Sequence, residues 1–377
     1  MTTTDRTAIG RRLTVRRRAH RPPARGRKLG HRSILARTVA TVAATVALGA
    51  GIALARAERE RREARRRRLR ERQFALLPSE RPAAGLRRIA LGQLDLAIEL
   101  LAGNGSGPLG EHAVHELRKS LKRLRALIRL LQGQLPEPLL AGEQELLRGA
   151  GRRVAGARDA EVLVGTLDAL VARHPGKLSH RRGVAKLRAR LVAERDWASA
   201  QALGDARARR EALGELWAVR ARVAEWGFSE GEGIESVQLG LAEIYREGRR
   251  RQRLAARGKG DRAQALHLWR KRVKDLRYAA EMLDRFDAAA GERRGSGRLA
   301  SLARKADELG ELLGEEHDLV LLAGQIRSDG ELGGGARKAL LKLIARRRSR
   351  VQRQALRRGE RLYRRRTKSF LALLRRR

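Results

Sequence analysis

Apolar residues return every three or four positions from Leu77 to the C-terminal arginines, the spacing that lays them along one side of an α-helix. No stretch alternates apolar and polar residues for long enough to read as a strand. The helical pattern breaks at 103–110, 133–137, 174–183, 227–233, 257–261, 291–297 and 328–335, where Gly, Pro, Ser and Asp collect. Between the breaks lie amphipathic stretches that need neighbours to cover their apolar sides. The pattern predicts an all-α fold.

Ahead of this region the period is lost. Residues 1–33 are Arg-rich, contain Pro22 and Pro23, and read as a disordered basic arm. Residues 34–75 read as an Ala-rich and then Arg-rich helix. Its segment Thr38–Ala55 is uncharged throughout, and as a helix it would reach about 27 Å against a hydrocarbon core of about 30 Å. Two readings stay open for residues 38–55: a single-span membrane anchor, or an Ala-rich soluble helix. Basic residues flank both ends and give no orientation bias.

Composition narrows the field. The chain has no Cys, which excludes a disulfide scaffold and any Cys-based metal or redox site. Aromatic residues make up only 3%, which argues against sandwiches and barrels. Lys plus Arg number 86 against 42 Asp plus Glu, for a net charge of +44. A charge of that size calls for a polyanion or an anionic membrane surface, and it is spread through the helical region as well as the arm.

The helical region repeats itself. His115, Arg118, Lys119, Lys122, Leu124 and Arg125 recur at identical spacing as His267, Arg270, Lys271, Lys274, Leu276 and Arg277. An Asp-centred segment follows each copy, at Asp159 and Asp318; both acids read as helix-start caps or salt-bridge partners, a structural role. The repeat divides the region 78–377 into halves of about 78–225 and 232–377. On a helix, His115, Arg118, Lys119, Lys122, Arg125 and Arg129 form one basic stripe. Leu117, Leu121, Leu124, Ile128 and Leu131 form the adjacent seam that faces a core. The second copy has the same stripe, with Val273, Leu276, Ala280 and Leu283 as its seam. Like charges one turn apart are mildly destabilising unless an anion lies across them. Lys and Arg at this pitch suit a linear phosphate chain, Arg by two-pronged contact and Lys as a movable charge.

The doubled H-x-x-R-K-x-x-K-x-x-R pattern, each copy followed by its Asp segment, resembles the CHAD family, the conserved histidine α-helical domain. Arg87–Ala97 is similar to that domain's opening helix, and Leu309–Leu319 to its second Asp segment. The resemblance covers about four-fifths of the chain. It implies two pseudo-twofold-related helical bundles around a basic central cleft that binds inorganic polyphosphate without cofactor. It also implies a cytoplasmic setting, with association to polyphosphate granules. Carried over by position, His115, Arg118, Lys119, Lys122 and Arg125 match the first motif, and His267, Arg270, Lys271, Lys274 and Arg277 the second. Arg123 becomes Asp275 in the second copy and is not carried over. Arg129 extends the first stripe; Arg87, Arg88, Arg152 and Lys305 are secondary candidates for phosphate contact.

Other chemistries find less support. Members of the family are often fused to a triphosphate-hydrolysing domain whose metal site needs alternating acids on a strand. The nearest match, Glu58 and Glu60, sits in a helical charge run where alternate residues diverge. No P-loop or nucleophile elbow is present, and the chain reads as a non-enzyme. His112 and His115 are spaced to share a metal, but no third ligand is nearby in sequence, and no metal site is assigned. His115 and His267 read better as hydrogen-bonding groups that titrate near neutrality. Non-specific nucleic-acid binding, through residues 1–33 and the Arg346–Arg377 tail, is the competing function. Scarce aromatics argue against single-strand recognition.

Overall fold

The seam positions are what build the fold. In the computed structural model, which describes residues 74–77, 80–103, 111–153, 156–228, 237–258, 260–289 and 297–375, every regular element is a helix. The basic arm and the run 38–55 lie outside the described residues, as does the Asp159 side chain. The described residues all belong to one unit, Arg67–Arg377.

Helix α1 (Pro82–Ala102) starts on a proline, whose missing N–H costs nothing there, and ends at Gly103, which takes φ +61°. Helices α2 (Glu111–Leu130) and α3 (Glu137–Arg153) follow, separated by a turn around Gly133. Next come α4 (Gly156–Arg173), the single turn α5 (Pro175–Leu178), α6 (Arg182–Gly204) and α7 (Ala206–Ala224). Asp205 caps α7 by accepting the Ala208 N–H at 2.9 Å. The second half of the chain forms α8 (Gln238–Arg257), α9 (Arg262–Ala289), α10 (Arg298–Ser328), α11 (Gly334–Leu362) and α12 (Thr367–Arg375). Asp261 caps α9 through the N–H groups of Ala263 and Gln264.

Two hydrophobic cores result among the described residues. The larger joins α1, α2, α3, α7, α8 and α9 with the first half of α10 and the end of α11. The smaller joins α4 and α6 with the second half of α10 and the first half of α11. Each core therefore draws on both sequence halves, and the long helices α10 and α11 run through both. Buried polar groups fix the register: the Ser120 hydroxyl donates to the Gln93 carbonyl at 2.6 Å, and Arg222 holds buried Glu143 with two hydrogen bonds.

Among the described residues, no helix is long and apolar enough to cross a membrane.

Candidate functional site

Burial of the two seams decides where the basic stripes go. Leu117, Leu121, Leu124, Ile128 and Leu131 of the first copy are all buried, as are Val273, Leu276, Ala280 and Leu283 of the second. The stripes beside them are left at the edge of the core, mostly half-buried. Helices α2 and α9 pack against each other. They run antiparallel: Arg123 meets Tyr278 and Glu281 at one end, and Arg129 meets Asp275 at the other.

Asp275 is the pivot of this contact. Its carboxylate forms ion pairs with Arg129 of α2 at 3.3 Å and Arg272 of its own helix at 3.1 Å, with its side chain only 14% exposed. Burial pushes its carboxyl up, while Arg272, Arg129, Arg125 and Lys271 pull it down. Four cations, drawn from both repeated motifs, thus share one acid. Arg148 of α3 adds a further positive charge beside Arg125 and Lys271, although it is paired with Glu145. The residue that breaks the repeat is the one that ties its two copies together.

Both lysines of the second stripe are depressed by burial first and by neighbouring cations second. Lys271 is held below its usual value by burial first, then by Arg125, Arg272 and Arg148. Lys274 is pulled down to about 8 by burial, with Arg270 and Arg277 adding to the effect and Glu311 and Asp318 of α10 opposing it. Arg270 lies across Gly314 of α10, so close that a Cβ there would sit 3.2 Å from its guanidinium, and its Nε is buried without a hydrogen-bond partner among the described residues. Part of the second stripe therefore faces α10, while Lys271 faces the first motif.

The remaining sequence candidates separate by their partners. Lys119 pairs with Glu116 at 3.2 Å, and Arg125 donates to Gln144 at 3.3 Å. Arg277 is bound to Glu281 at 2.7 Å and to Asp307 of α10, which commits it within the protein. His115, Arg118 and Lys122 keep their places along α2 at the edge of the core, His115 exposed and the other two half-buried. Of the secondary candidates, Arg88 is clamped to Glu80 and Arg152 pairs with Glu145. Arg87 donates to the Trp226 carbonyl under the Phe228 ring. Lys305 is exposed and belongs to a different cavity. Among the described residues, no three His, Cys, Asp or Glu side chains gather as a metal site.

Two expectations change. Asp318 does not start a helix; it lies well inside α10, near Lys274, and its role is electrostatic rather than capping. His267 does not titrate near neutrality. Its ring packs 4.3 Å from that of His317, and burial together with His317, Lys271 and Arg270 lowers it to about 4, against a small pull upward from Glu316. It is a neutral ring at pH 7. An unfolded His titrates near 6.5, so between the two values the unfolded chain binds the extra proton. The stability that His267 confers is complete above about pH 6.5 and declines as pH falls toward 4. Urea unfolding at pH 7 and pH 5 should show His267→Gln flattening that decline by about 1–2 kcal/mol, after allowing for screening at a half-exposed ring.

Residues 92–327 match the family described as the CHAD domain. Among solved structures, PptA from Streptomyces chartreusis is similar at 18% identity and a TM-score of 0.51, over 74% of this chain and 99% of that one. The CHAD domain from the plant Ricinus communis is similar at 20% identity and a TM-score of 0.48, over 80% and 93%. The first of these likenesses speaks for the fold alone. No curated protein matches the sequence.

Proposed function

The chain belongs to the CHAD-domain family, and from that premise we propose that it binds inorganic polyphosphate through the two repeated stripes without cleaving it. The observation that carries this reading is the crowding at the α2–α9 junction. Cations from both motifs outnumber acids there, with Arg125, Arg129, Lys271 and Arg272 around the one carboxylate of Asp275, and farther along α9 burial first and Arg270 and Arg277 next pull Lys274 down to about 8. A flexible phosphate chain supplies negative charge at close intervals and bends to follow the α2 stripe and then the Lys271 side of α9. Trp269 and Tyr278, which flank the second stripe in sequence, are buried and offer no face on which a base stacks. Docking to polyphosphate granules follows from the same affinity.

Two measurements test this. Calorimetric titration of the full chain with long-chain polyphosphate should give an affinity whose logarithm falls linearly with the logarithm of salt concentration. Failure to bind at moderate salt sinks the proposal. Incubation followed by phosphorus NMR should leave the chain length unchanged; growth of the end-group signal would make the protein a hydrolase.

Lys274 gives a sharper signature. An anion beside it restores its proton, so binding at pH 8 should take up about half a proton, and at pH 6 almost none. Titrations in buffers of different ionisation enthalpy measure that uptake. Lys274→Arg should abolish it while retaining affinity.

A further inference from the structure

A second cationic feature lies away from the stripes. A cavity of about 450 Å³ opens between the start of α10 and the turn joining α11 to α12, with Tyr245 of α8 behind it. Its rim carries Arg298, Lys305, Arg361, Arg364 and Arg365, and no acid lines it among the described residues. Many arginines elsewhere in the fold, such as Arg222, Arg347 and Arg348, are bound to a carboxylate, whereas Lys305, Arg361, Arg364 and Arg365 have no acidic partner among the described residues. The N-terminus of α10 also reaches this cavity. Gly297 gives it no side-chain cap, and the helix dipole there favours an anion.

The floor is of a different character. Half-buried Leu302 and Leu362 form its accessible apolar surface, backed by the buried Tyr245 and Phe370 rings, which stack on each other at 3.9 Å. The Tyr245 hydroxyl donates to the Arg365 carbonyl at 3.1 Å, which pins the turn that carries Arg361, Arg364 and Arg365 around the opening. A purely inorganic anion uses the rim and leaves this apolar floor uncovered. An apolar molecule leaves four like charges unneutralised. A ligand with a polyphosphate end and a flat apolar end uses both, and the volume falls in the range of small-molecule pockets, about 300–1,000 Å³.

We infer that this cavity is a binding site for a nucleoside polyphosphate, with its phosphates on the Lys305–Arg361–Arg364–Arg365 rim and its base against the floor. The inference is independent of the stripes and does not require polyphosphate binding. The test uses ATP, inorganic triphosphate and adenosine as probes of the full chain at moderate salt. ATP should bind about tenfold or more tightly than inorganic triphosphate, and adenosine far more weakly than either. Lys305→Glu with Arg361→Glu should weaken ATP at least about tenfold, whereas Arg118→Glu with Arg270→Glu should leave it unchanged. Leu302→Gln should lower the affinity for ATP and not for triphosphate, with helicity by circular dichroism confirming that each variant is folded. Equal affinity for ATP and triphosphate overturns the inference, as does loss of ATP binding in the stripe variant but not in the cavity variant.

Discussion

Reversing Arg118 and Arg270 together is expected to weaken binding of long-chain polyphosphate by about 100-fold or more, since each loses a charge-assisted contact and gains a repulsion. The two residues occupy the same position in the two motifs, one on α2 and one on α9. Arg270 has a buried Nε without a partner among the described residues, so its guanidinium has spare donor capacity. Glutamate at 270 also enters a neighbourhood that already holds Glu316, so the milder pair Arg118→Gln with Arg270→Gln is the companion variant, with an expected loss of about tenfold. The control is Arg353→Glu with Arg357→Glu on the exposed side of α11. At raised salt, where exposed charges are screened, that pair should cost no more than about threefold. Equal losses from the two pairs would place the ligand on the surface of α11, not on the repeated stripes.

The largest stability effect is expected at Gly240, near the start of α8. A Cβ there would lie 2.0 Å from the Leu130 carbonyl oxygen and 2.5 Å from its carbon, backbone against backbone. No rotamer change relieves such a contact; α8 must move off the end of α2. Gly240→Ala should therefore cost about 3 kcal/mol or more in urea unfolding. Gly142 is the matched control, since it lies within α3 with open space around its Cβ position. Gly142→Ala should be neutral or stabilise by up to about 1 kcal/mol, from helix propensity alone. If both substitutions act alike, the close α2–α8 crossing is wrong.

The helices and their core-facing seams were legible because burial of one helix face writes a regular period into the sequence, and all nine seam residues named from that period are buried. What the period does not carry is which helix faces which. Asp275 is visible in sequence only as a flaw in the repeat; its pairing with Arg129 depends on the antiparallel packing of α2 on α9. Arg277 sits on the stripe by spacing, yet Asp307, distant in sequence, shares its guanidinium with Glu281. Asp318 reads as a helix start from its place in the repeated motif, although the breaks at 291–297 and 328–335 leave it mid-stretch and Gly310 and Gly314 before it do not interrupt the helix. Gly314 sits inside one continuous helix, where its missing side chain leaves room for Arg270. The depressed lysine at 274 was beyond reach for the same reason, since it needs burial and the neighbours on α10 to be known.

The central claim is that the doubled stripes select a flexible phosphate polymer over other polyanions. Its most direct test is competition at equilibrium: long-chain polyphosphate bound to the full chain at raised salt, displaced by duplex DNA or single-stranded RNA at matched phosphate concentration. The account predicts that neither nucleic acid displaces more than a small fraction, because a stiff duplex does not follow the path from α2 to α9 and the aromatics beside the second stripe, Trp269 and Tyr278, are buried and give RNA no stacking face along it. Displacement by DNA as effective as that by unlabelled polyphosphate would contradict it.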